Sequence, residues 1–418
     1  MASGGKLAAL SLALAMVSCG DEQGSVRDEP IIIGVIVSLS GALGSVGDHL
    51  AKSAQLAARE INAAGGLLGG RQIELIVVDD RTQPDQAARV AEELLAQGAV
   101  GIIGSLSSSA TEEVQAITAA AQVPQISCCS TSQNLTSIQP ADDRYLFRTA
   151  PSDTVQARVL ARLAVDSACA RVAILHINDA YGEPFAEGIT QSLTSEPTVD
   201  VVEVVPFVGG RSNYDAEVEA VASANPDCVA LVAFPDDGGE ILRAWNNLGS
   251  PPPVTWIGTD GLKDPGFPTA AGDASFVDGV IGTAPIVAPD TRSANAFAAS
   301  YEVTFGEEPG IFGGNQYDAT ILLALAIQKA GTTEGSAVRD ALYEVANLDD
   351  SEPTVFSGQM PRALGVLEEG GDVDYEGASG SVNFDPSGDV TTDYEIWTYD
   401  TVDGFTRIDV ISAMDLDR

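Results

Sequence analysis

The residues that could do chemistry are concentrated in one hydroxyl-rich stretch, residues 104–113, with the sequence GSLSSSATEE. It follows an apolar run at 99–103, typical of a buried parallel strand, and precedes a helical pattern at 114–121. Ser109 and Glu112 have capping-box spacing and predict that a helix begins at these serines. The first N–H groups of a helix lack intrahelical acceptors and carry partial positive charge, so with three hydroxyls they could bind a small carboxylate. Alternatively, the serines only cap the helix.

The elements that would position this stretch alternate between strand and helix. Apolar, β-branched runs are expected of strands covered on both faces, and they alternate with helical patterns. These runs lie at residues 31–37, 73–78, 123–127, 172–177, 201–206, 229–234 and 254–258. Short loops between them indicate doubly wound parallel sheets. Because the pattern restarts after about residue 150, we expect an α/β protein with two lobes. Residues 349–377, rich in Gly, Asp and Glu, predict an irregular loop.

The N-terminus has the pattern of an export signal. A short apolar segment follows Lys6, and it is too short to span a bilayer. Residues 16–19, MVSC, resemble a bacterial lipobox. We therefore predict a signal peptide at 1–18, lipidation of Cys19 and a polar tether at 19–30. The alternative is a cleaved protein without an anchor. Either way the protein is expected to be exported, to the periplasm or the cell surface.

The charge of the chain is strongly acidic. The sequence contains 60 Asp and Glu residues and 21 Lys and Arg residues, which gives a formal net charge of −39. Such a surface would repel the phosphates of nucleic acid, so we expect no nucleic-acid partner. Dispersed acidic residues suit a well-solvated surface and do not identify the ligand.

The cysteines after Cys19 form two pairs. Cys169 and Cys228 each open a predicted strand, and if those strands are neighbours an oxidising compartment would permit a disulfide. Cys128 and Cys129 are adjacent, and because a bond between neighbours is strained we expect two buried thiols. No CxxC motif or Cys/His ligand spacing occurs, so no metal site is predicted.

An enzyme is the first rival interpretation. The sequence has no GxGxxG, no Walker lysine and no GxSxG motif. Its two histidines are His49 and His176; His176, near a strand end, could in principle act as a base but has no evident nucleophile as a partner. We therefore predict no catalytic residues and no cofactor.

The order and spacing of several short motifs resemble one known family. They are SLSG at 38–41, EINAAGG at 60–66, DD at 79–80, the serine stretch, FRT at 147–149, DAYG at 179–182, GTDG at 258–261 and QYDA at 316–319. The chain resembles the periplasmic substrate-binding proteins of branched-chain amino acid ABC transporters, the type I binding proteins. The resemblance implies two doubly wound lobes joined by three crossovers. Lobe 1 would comprise residues 31–149 and 284–378, and lobe 2 residues 150–283 and 379–418.

The resemblance also implies a ligand-binding cleft between the lobes. A carboxylate would bind Ser108, Thr131 and the backbone around Cys129. The unpaired N–H groups of the helix predicted to begin at the serines would lie at the same place. Tyr181 would close over the ligand, and Phe234 could cover it. Asp260 matches the position that pairs with an α-ammonium group, which in a closed cleft needs a charged acceptor. The site residues implied are Ser108, Cys129, Thr131, Tyr181, Phe234 and Asp260.

Each of these residues could instead have a purely structural role. The Thr131 hydroxyl could bond the backbone of a turn, Tyr181 and Phe234 could be packing residues, and Asp260 could belong to a turn. Val46 stands where some relatives have an aromatic residue, and Asp260 is shorter than the glutamate of others. The ligand could therefore be Leu, Ile or Val, another amino acid, an amide or a carboxylate. The expected partners are this small molecule, an ABC permease and a membrane reached only through the lipid anchor, with the protein a monomer. The second rival is a sensor module that presents its ligand to a receptor.

Overall fold

The computed structural model describes residues 29–140, 143–286, 290–347 and 353–417, together with Met1. The predicted signal peptide, Cys19 and nearly all of the predicted tether lie outside these residues. No helix within the described ranges is long and apolar enough to cross a membrane.

The first sheet has five parallel strands in the order β2-β1-β3-β4-β5. Their bounds are β1 Ile31–Val37, β2 Ile73–Asp79, β3 Ile102–Ile103, β4 Gln125–Ser127 and β5 Leu146–Arg148. Strand β1 is an interior strand and is buried on both faces: Val35 belongs to one hydrophobic cluster and Ile36 to the other. This explains its unbroken apolar sequence.

The second sheet has seven strands in the order β15-β14-β10-β9-β8-β6-β7. Strands β6 to β10 pair parallel with one another, whereas β14 pairs antiparallel with both β10 and β15 at one edge. Their bounds are β6 Arg171–Ile177, β7 Asp200–Phe207, β8 Cys228–Val232, β9 Thr255–Gly258, β10 Ile281–Pro285, β14 Tyr394–Asp400 and β15 Gly404–Ile411. A small third sheet joins β11 Thr354–Phe356, β12 Asp374–Gly377 and β13 Gly380–Ser381.

Helices connect the strands and cover both main sheets. In chain order they are α1 Gly44–Ala63, α2 Pro84–Ala96, α3 Ser108–Ala120, α4 Asn134–Ser137, α5 Asp153–Asp166, α6 Gly182–Thr194, α7 Asp215–Ser223, α8 Pro235–Asn247, α9 Gly266–Ala270, α10 Arg292–Phe305, α11 Gly313–Ala330, α12 Gly335–Ala346 and α13 Met360–Glu368. Helices α2 and α3 pack together, and α1 packs against α11. The structure is the doubly wound α/β architecture that the sequence predicts.

The chain passes between the two main sheets three times. The passages lie between β5 and α5, between β10 and α10, and between β13 and β14. We call the first sheet with its helices the first lobe, and the second sheet with its helices the second lobe. In both sheets the parallel strands end at the edge that faces the other lobe, which is where open α/β sheets bind ligands.

The prediction of an irregular loop at 349–377 is wrong for the part that the structure describes. That part contains β11, α13 and β12. The buried side chains of α13 are Met360, Ala363, Leu364 and Leu367, an apolar stripe at helical spacing. The many Gly, Asp and Glu residues around this stripe obscured it in the sequence.

Candidate ligand-binding site

A cavity lies between the two lobes at the carboxyl ends of their strands. It has about 490 Å³ of atom-free space, part of it open to solvent. The first lobe contributes Leu43, Val46, Leu50, Leu106, Ser107, Ser108, Cys129, Thr131, Ile311 and Phe312, and the second lobe contributes Tyr181, Phe234, Asp260, Gly261 and Asp264. All six residues singled out in the sequence, Ser108, Cys129, Thr131, Tyr181, Phe234 and Asp260, therefore line one cavity.

The serine stretch enters the cavity at the start of α3. The N-cap is Ser107, not Ser109 as the capping-box spacing predicts, and its Oγ accepts the Ala110 N–H at 3.3 Å. Ser108 is the first helical residue, and its Oγ accepts the Ser132 N–H at 3.3 Å. The helix therefore begins at the serines, as predicted, but its cap lies two residues before Ser109 because the hydroxyl of Ser107 accepts a first-turn N–H group. The first turn of α3, with its positive end, therefore points into the cleft.

A second layer of hydroxyls joins the two loops that carry these residues. Ser130 Oγ lies 2.7 Å from Thr111 Oγ1 and donates to Leu106 O at 3.0 Å. Ser127 Oγ donates to Ser105 O at 2.8 Å. These buried bonds hold the loop after β3 against the loop after β4, so Ser108 and Thr131 face the cavity from a fixed frame.

Arg148 fixes the loop around Thr131 from behind. Its side chain is 1 % exposed and donates to Ser130 O at 3.2 Å and Ser132 O at 2.8 Å. Asp389 receives two further bonds from the same guanidinium, at 2.7 and 2.6 Å. This paired geometry offsets the cost of burying both charges. The role of Arg148 was not predicted from the sequence.

The adjacent cysteines differ from the prediction. Cys128 and Cys129 are joined in a disulfide, so the expectation of two buried thiols is wrong. In an extended strand, neighbouring side chains point to opposite faces. Here the chain bends at both residues directly after β4, which lets the two sulfur atoms meet. A second disulfide joins Cys169 to Cys228, whose Cα atoms are 5.8 Å apart at the starts of the paired strands β6 and β8.

The second lobe presents an acidic group at the opposite wall. Asp260 is 5 % exposed and follows β9. Its Oδ1 accepts Gln156 Nε2 at 3.0 Å and the Tyr181 hydroxyl at 3.1 Å. The Tyr181 hydroxyl also lies 2.9 Å from Thr259 Oγ1. Neutral donors thus orient Asp260, and among the described residues no Arg or Lys lines the cavity.

A second carboxyl group, Asp153, lies buried behind this wall. Asp153 and Gln156 are one turn apart on α5, and Oε1 of Gln156 is buried without a hydrogen-bond partner. The Asp153 carboxyl is fully buried, and the hydroxyl of Thr131 in the first lobe lies near it. Burial raises the pKa of Asp153 well above its ordinary value, and the nearby charge of Asp260 adds to the shift. Burial also raises the pKa of Asp260 to about 6. Nothing in the sequence marked this helical aspartate as buried beside the cleft.

Aromatic and aliphatic side chains form the rest of the cavity wall. The rings of Tyr181 and Phe234 stack at 5.5 Å with an interplanar angle of 14°. Opposite them, α1 contributes Val46 and Leu50, and the segment before α11 contributes Ile311 and Phe312; Leu43 lies just before α1. The cavity therefore has a polar part and an apolar part, as small-molecule sites usually do.

Comparison with known proteins identifies the family. The profile described as "Periplasmic binding protein" matches residues 30–366. This chain belongs to the periplasmic binding protein family. It is 28% identical over 345 residues to the Leu/Ile/Val-binding protein BraC3 of Rhizobium johnstonii, covering 81% of this chain and 87% of that protein. It is 25% identical over 388 residues to the chemotactic signal transduction system substrate-binding protein BasB of Halobacterium salinarum, covering 88% of this chain and 86% of that protein.

Solved structures of binding proteins share the fold. The leucine-binding protein LivK of Thermotoga maritima superposes with a TM-score of 0.77 at 21% identity, covering 92% of this chain and 99% of that chain. A solute-binding protein of Rhodopseudomonas palustris in complex with 3,4-dihydroxybenzoic acid superposes with a TM-score of 0.72 at 19% identity, covering 92% and 98%. The relatives are binding proteins and not enzymes, so this chain belongs to a non-catalytic family.

Proposed function

We propose that this exported binding protein captures an aliphatic amino acid, of the branched-chain type, by closing its lobes and delivers it to an ABC permease. The observation that carries the proposal is the chemistry of the cavity walls. The start of α3 with Ser107 and Ser108 faces the cavity from one lobe, and Asp260 faces it from the other. Hydroxyls and helix N–H groups suit a carboxylate, and a buried carboxylate suits an ammonium group.

The balance of charge favours a zwitterion over a simple carboxylic acid. Asp260 and Asp264 line the cavity, and no basic side chain of the described residues lines it. A benzoate-like anion would bring a second negative charge next to Asp260 with no cation to offset it. An amino acid brings an ammonium group that pairs with that carboxylate.

The apolar part of the cavity favours an aliphatic side chain. Leu43, Val46, Leu50 and Ile311 are aliphatic, and Phe312 borders them. A ligand side chain in this region would bury apolar area, at about 25 cal/mol for each Å² removed from water. A polar side chain would lose hydration there without a matching set of donors and acceptors.

Thermal melting of the processed protein, with Cys19 replaced, tests this proposal directly. A ligand that binds only the folded form adds about 2.7 kcal/mol of stability at one hundred times its dissociation constant. We expect Leu, Ile or Val to raise the melting temperature and benzoate to leave it unchanged. A shift with benzoate or a simple amide, and none with amino acids, would overturn the assignment of Asp260 as the ammonium partner.

A sensor role is the second candidate, favoured by the similarity to the chemotactic binding protein over most of this chain. The two roles differ in the step after closure, since in sensing the loaded lobes would dock on a receptor and not on a permease. Uptake of radiolabelled leucine by a strain lacking this protein separates them. Lost uptake supports transport, whereas intact uptake with a lost chemotactic response supports sensing.

Membrane anchoring through Cys19 and a monomeric state complete the proposal. They rest on the lipobox-like residues 16–19 and on the acidic, well-solvated character of the chain. Mass spectrometry of the mature N-terminus would show a diacylglyceryl group on Cys19. An unmodified or differently cleaved N-terminus would remove the anchor from the proposal.

A further inference from the structure

Two hydrogen bonds cross from one lobe to the other beside the cavity. Ser109 Oγ, in the first turn of α3, accepts the Ala180 N–H at 3.2 Å. Gln133 Nε2, just before α4, donates to Pro184 O at 2.9 Å. Both donor–acceptor pairs join a first-lobe side chain to the backbone of residues 180–184 in the second lobe.

We propose that Ser109 and Gln133 form a latch that couples ligand binding to closure of the lobes. The two side chains are positioning residues, since neither lines the cavity in which the ligand would lie. The inference rests on the proposed function only for its choice of ligand, because neither bond involves a group that lines the cavity.

The coupling arises from the chain neighbours of the latch. Ser109 follows Ser108, and Ala180 precedes Tyr181; Ser108 and Tyr181 both line the cavity. Gln133 lies two residues after Thr131, which also lines it. A ligand that contacts both walls therefore brings the latch residues together, and the latch in turn holds the walls on the ligand.

The second-lobe side of the latch is a stiff turn. Asp179 Oδ1 accepts the N–H groups of Tyr181 and Gly182, each at 2.9 Å. Burial raises the pKa of Asp179, and the nearby hydroxyl of Ser109 partly offsets that rise. Ser109 thus meets a preformed turn, so little backbone freedom is lost when the latch forms.

The loss of one such bond predicts a moderate effect that appears mainly in dissociation. A neutral hydrogen bond contributes about 0.5–1.5 kcal/mol net, so Gln133→Ala should weaken leucine binding about 2- to 10-fold. Ser109→Ala should weaken it at least as much, because it also removes the hydroxyl beside the Asp179 carboxylate. Because the bonds form after encounter, the dissociation rate should rise and the association rate should stay the same.

Matched controls remove the same chemical groups without crossing the cleft. Ser137 donates to Asn134 O in the same short helix, and Gln97 donates to Glu93 O in α2. Ser137→Ala and Gln97→Ala should leave the leucine dissociation rate unchanged. If the latch variants behave like these controls, the proposal is wrong.

A ligand-independent measurement separates this inference from the proposed function. Hydrogen exchange of a peptide covering residues 179–185 should be faster in the Ser109→Ala/Gln133→Ala double variant than in the wild type. Unchanged exchange there would overturn the latch. If leucine fails to bind the wild type, the amino acid proposal fails, and the exchange result still decides the latch.

Discussion

The carboxamide of Gln156 donates a hydrogen bond to Asp260 Oδ1 at 3.0 Å, and the same nitrogen lies 3.1 Å from Thr283 O. One side chain thus ties α5 to the loop after β9 and to the strand β10. The result is an acidic group held on the cleft wall by neutral donors. A buried carboxylate without a counter-charge has a strong preference for a cation.

Substitution of Asp260 by Asn should abolish most amino acid binding. The carboxamide keeps the shape but leaves a buried ammonium without its counter-charge, which costs about 3–5 kcal/mol. Titration calorimetry with leucine should therefore show affinity reduced by a factor of about 100 or more. Asp200→Asn, an exposed position at the start of β7, serves as the control. An Asp260→Asn variant with wild-type affinity would show that the ammonium binds elsewhere.

Leucine affinity should depend on pH because of the same residue. Burial raises the pKa of Asp260 to about 6, so below that pH the group is increasingly neutral and must release a proton to bind an ammonium ion. Affinity should fall as the pH decreases below this value, by up to about tenfold per pH unit. The other titratable groups facing Asp260 are Asp153, Tyr181 and Tyr394, all with raised pKa values.

Calorimetry in buffers of different ionisation enthalpy would measure the proton released on binding at about pH 5.5. Release should approach one proton as the pH falls below the pKa of Asp260 and should disappear about two units above it. Constant affinity from about pH 5 to 8 would mean that Asp260 is ionised throughout or does not contact the ligand.

The sequence predicts much of the site because parallel strands end at one edge of a sheet. The serine stretch follows β3, Thr131 follows β4, Phe234 follows β8 and Asp260 follows β9, so the α/β pattern alone brings them to the cleft. Their pairing across two lobes came from the family resemblance. The alternation of strand and helix patterns along the chain does not show which edges of the two sheets face each other.

The residues that sequence reasoning missed act through contacts distant in the chain. Arg148 bonds Asp389, 241 residues away, and Gln156 reaches Asp260, 104 residues away. In the sequence, Asp153 resembles an ordinary acidic residue in the first turn of a helix. It is buried because β10 and β14 pack against α5, which the sequence does not show. The N-cap of α3 is Ser107 and not Ser109 because three adjacent serines offer equivalent caps.

Substitution of Asp153 by Asn should stabilise the protein, increasingly so as pH rises. Burial raises the folded-state pKa of Asp153, so above about pH 4 the folded protein retains a proton that the unfolded chain releases. The wild-type free energy of unfolding should therefore decrease with rising pH across that window, and the variant lacks this contribution. Urea denaturation at about pH 4.5 and about pH 7.5 should show a larger gain at the higher pH.

The exposed Asp200→Asn change again provides the control, with no expected difference between the two pH values. An Asp153→Asn variant less stable than the wild type at the higher pH would mean that Asp153 is ionised and bound to a cation or donor in the folded protein. That result would place a second negative charge beside Asp260.

The two disulfides should differ sharply in their contributions to stability. The Cys169–Cys228 bond closes a loop with a sequence separation of 59, and chain entropy assigns such a loop about 4 kcal/mol. The Cys128–Cys129 bond joins neighbours and restricts almost no chain, so its entropic contribution is small.

We expect Cys169→Ala/Cys228→Ala to lower the free energy of unfolding by several kcal/mol in urea denaturation. Cys128→Ala/Cys129→Ala should lower it much less while weakening leucine binding, because Cys129 lines the cavity. Equal losses of stability would show that the second bond acts through packing and not through the length of chain it closes.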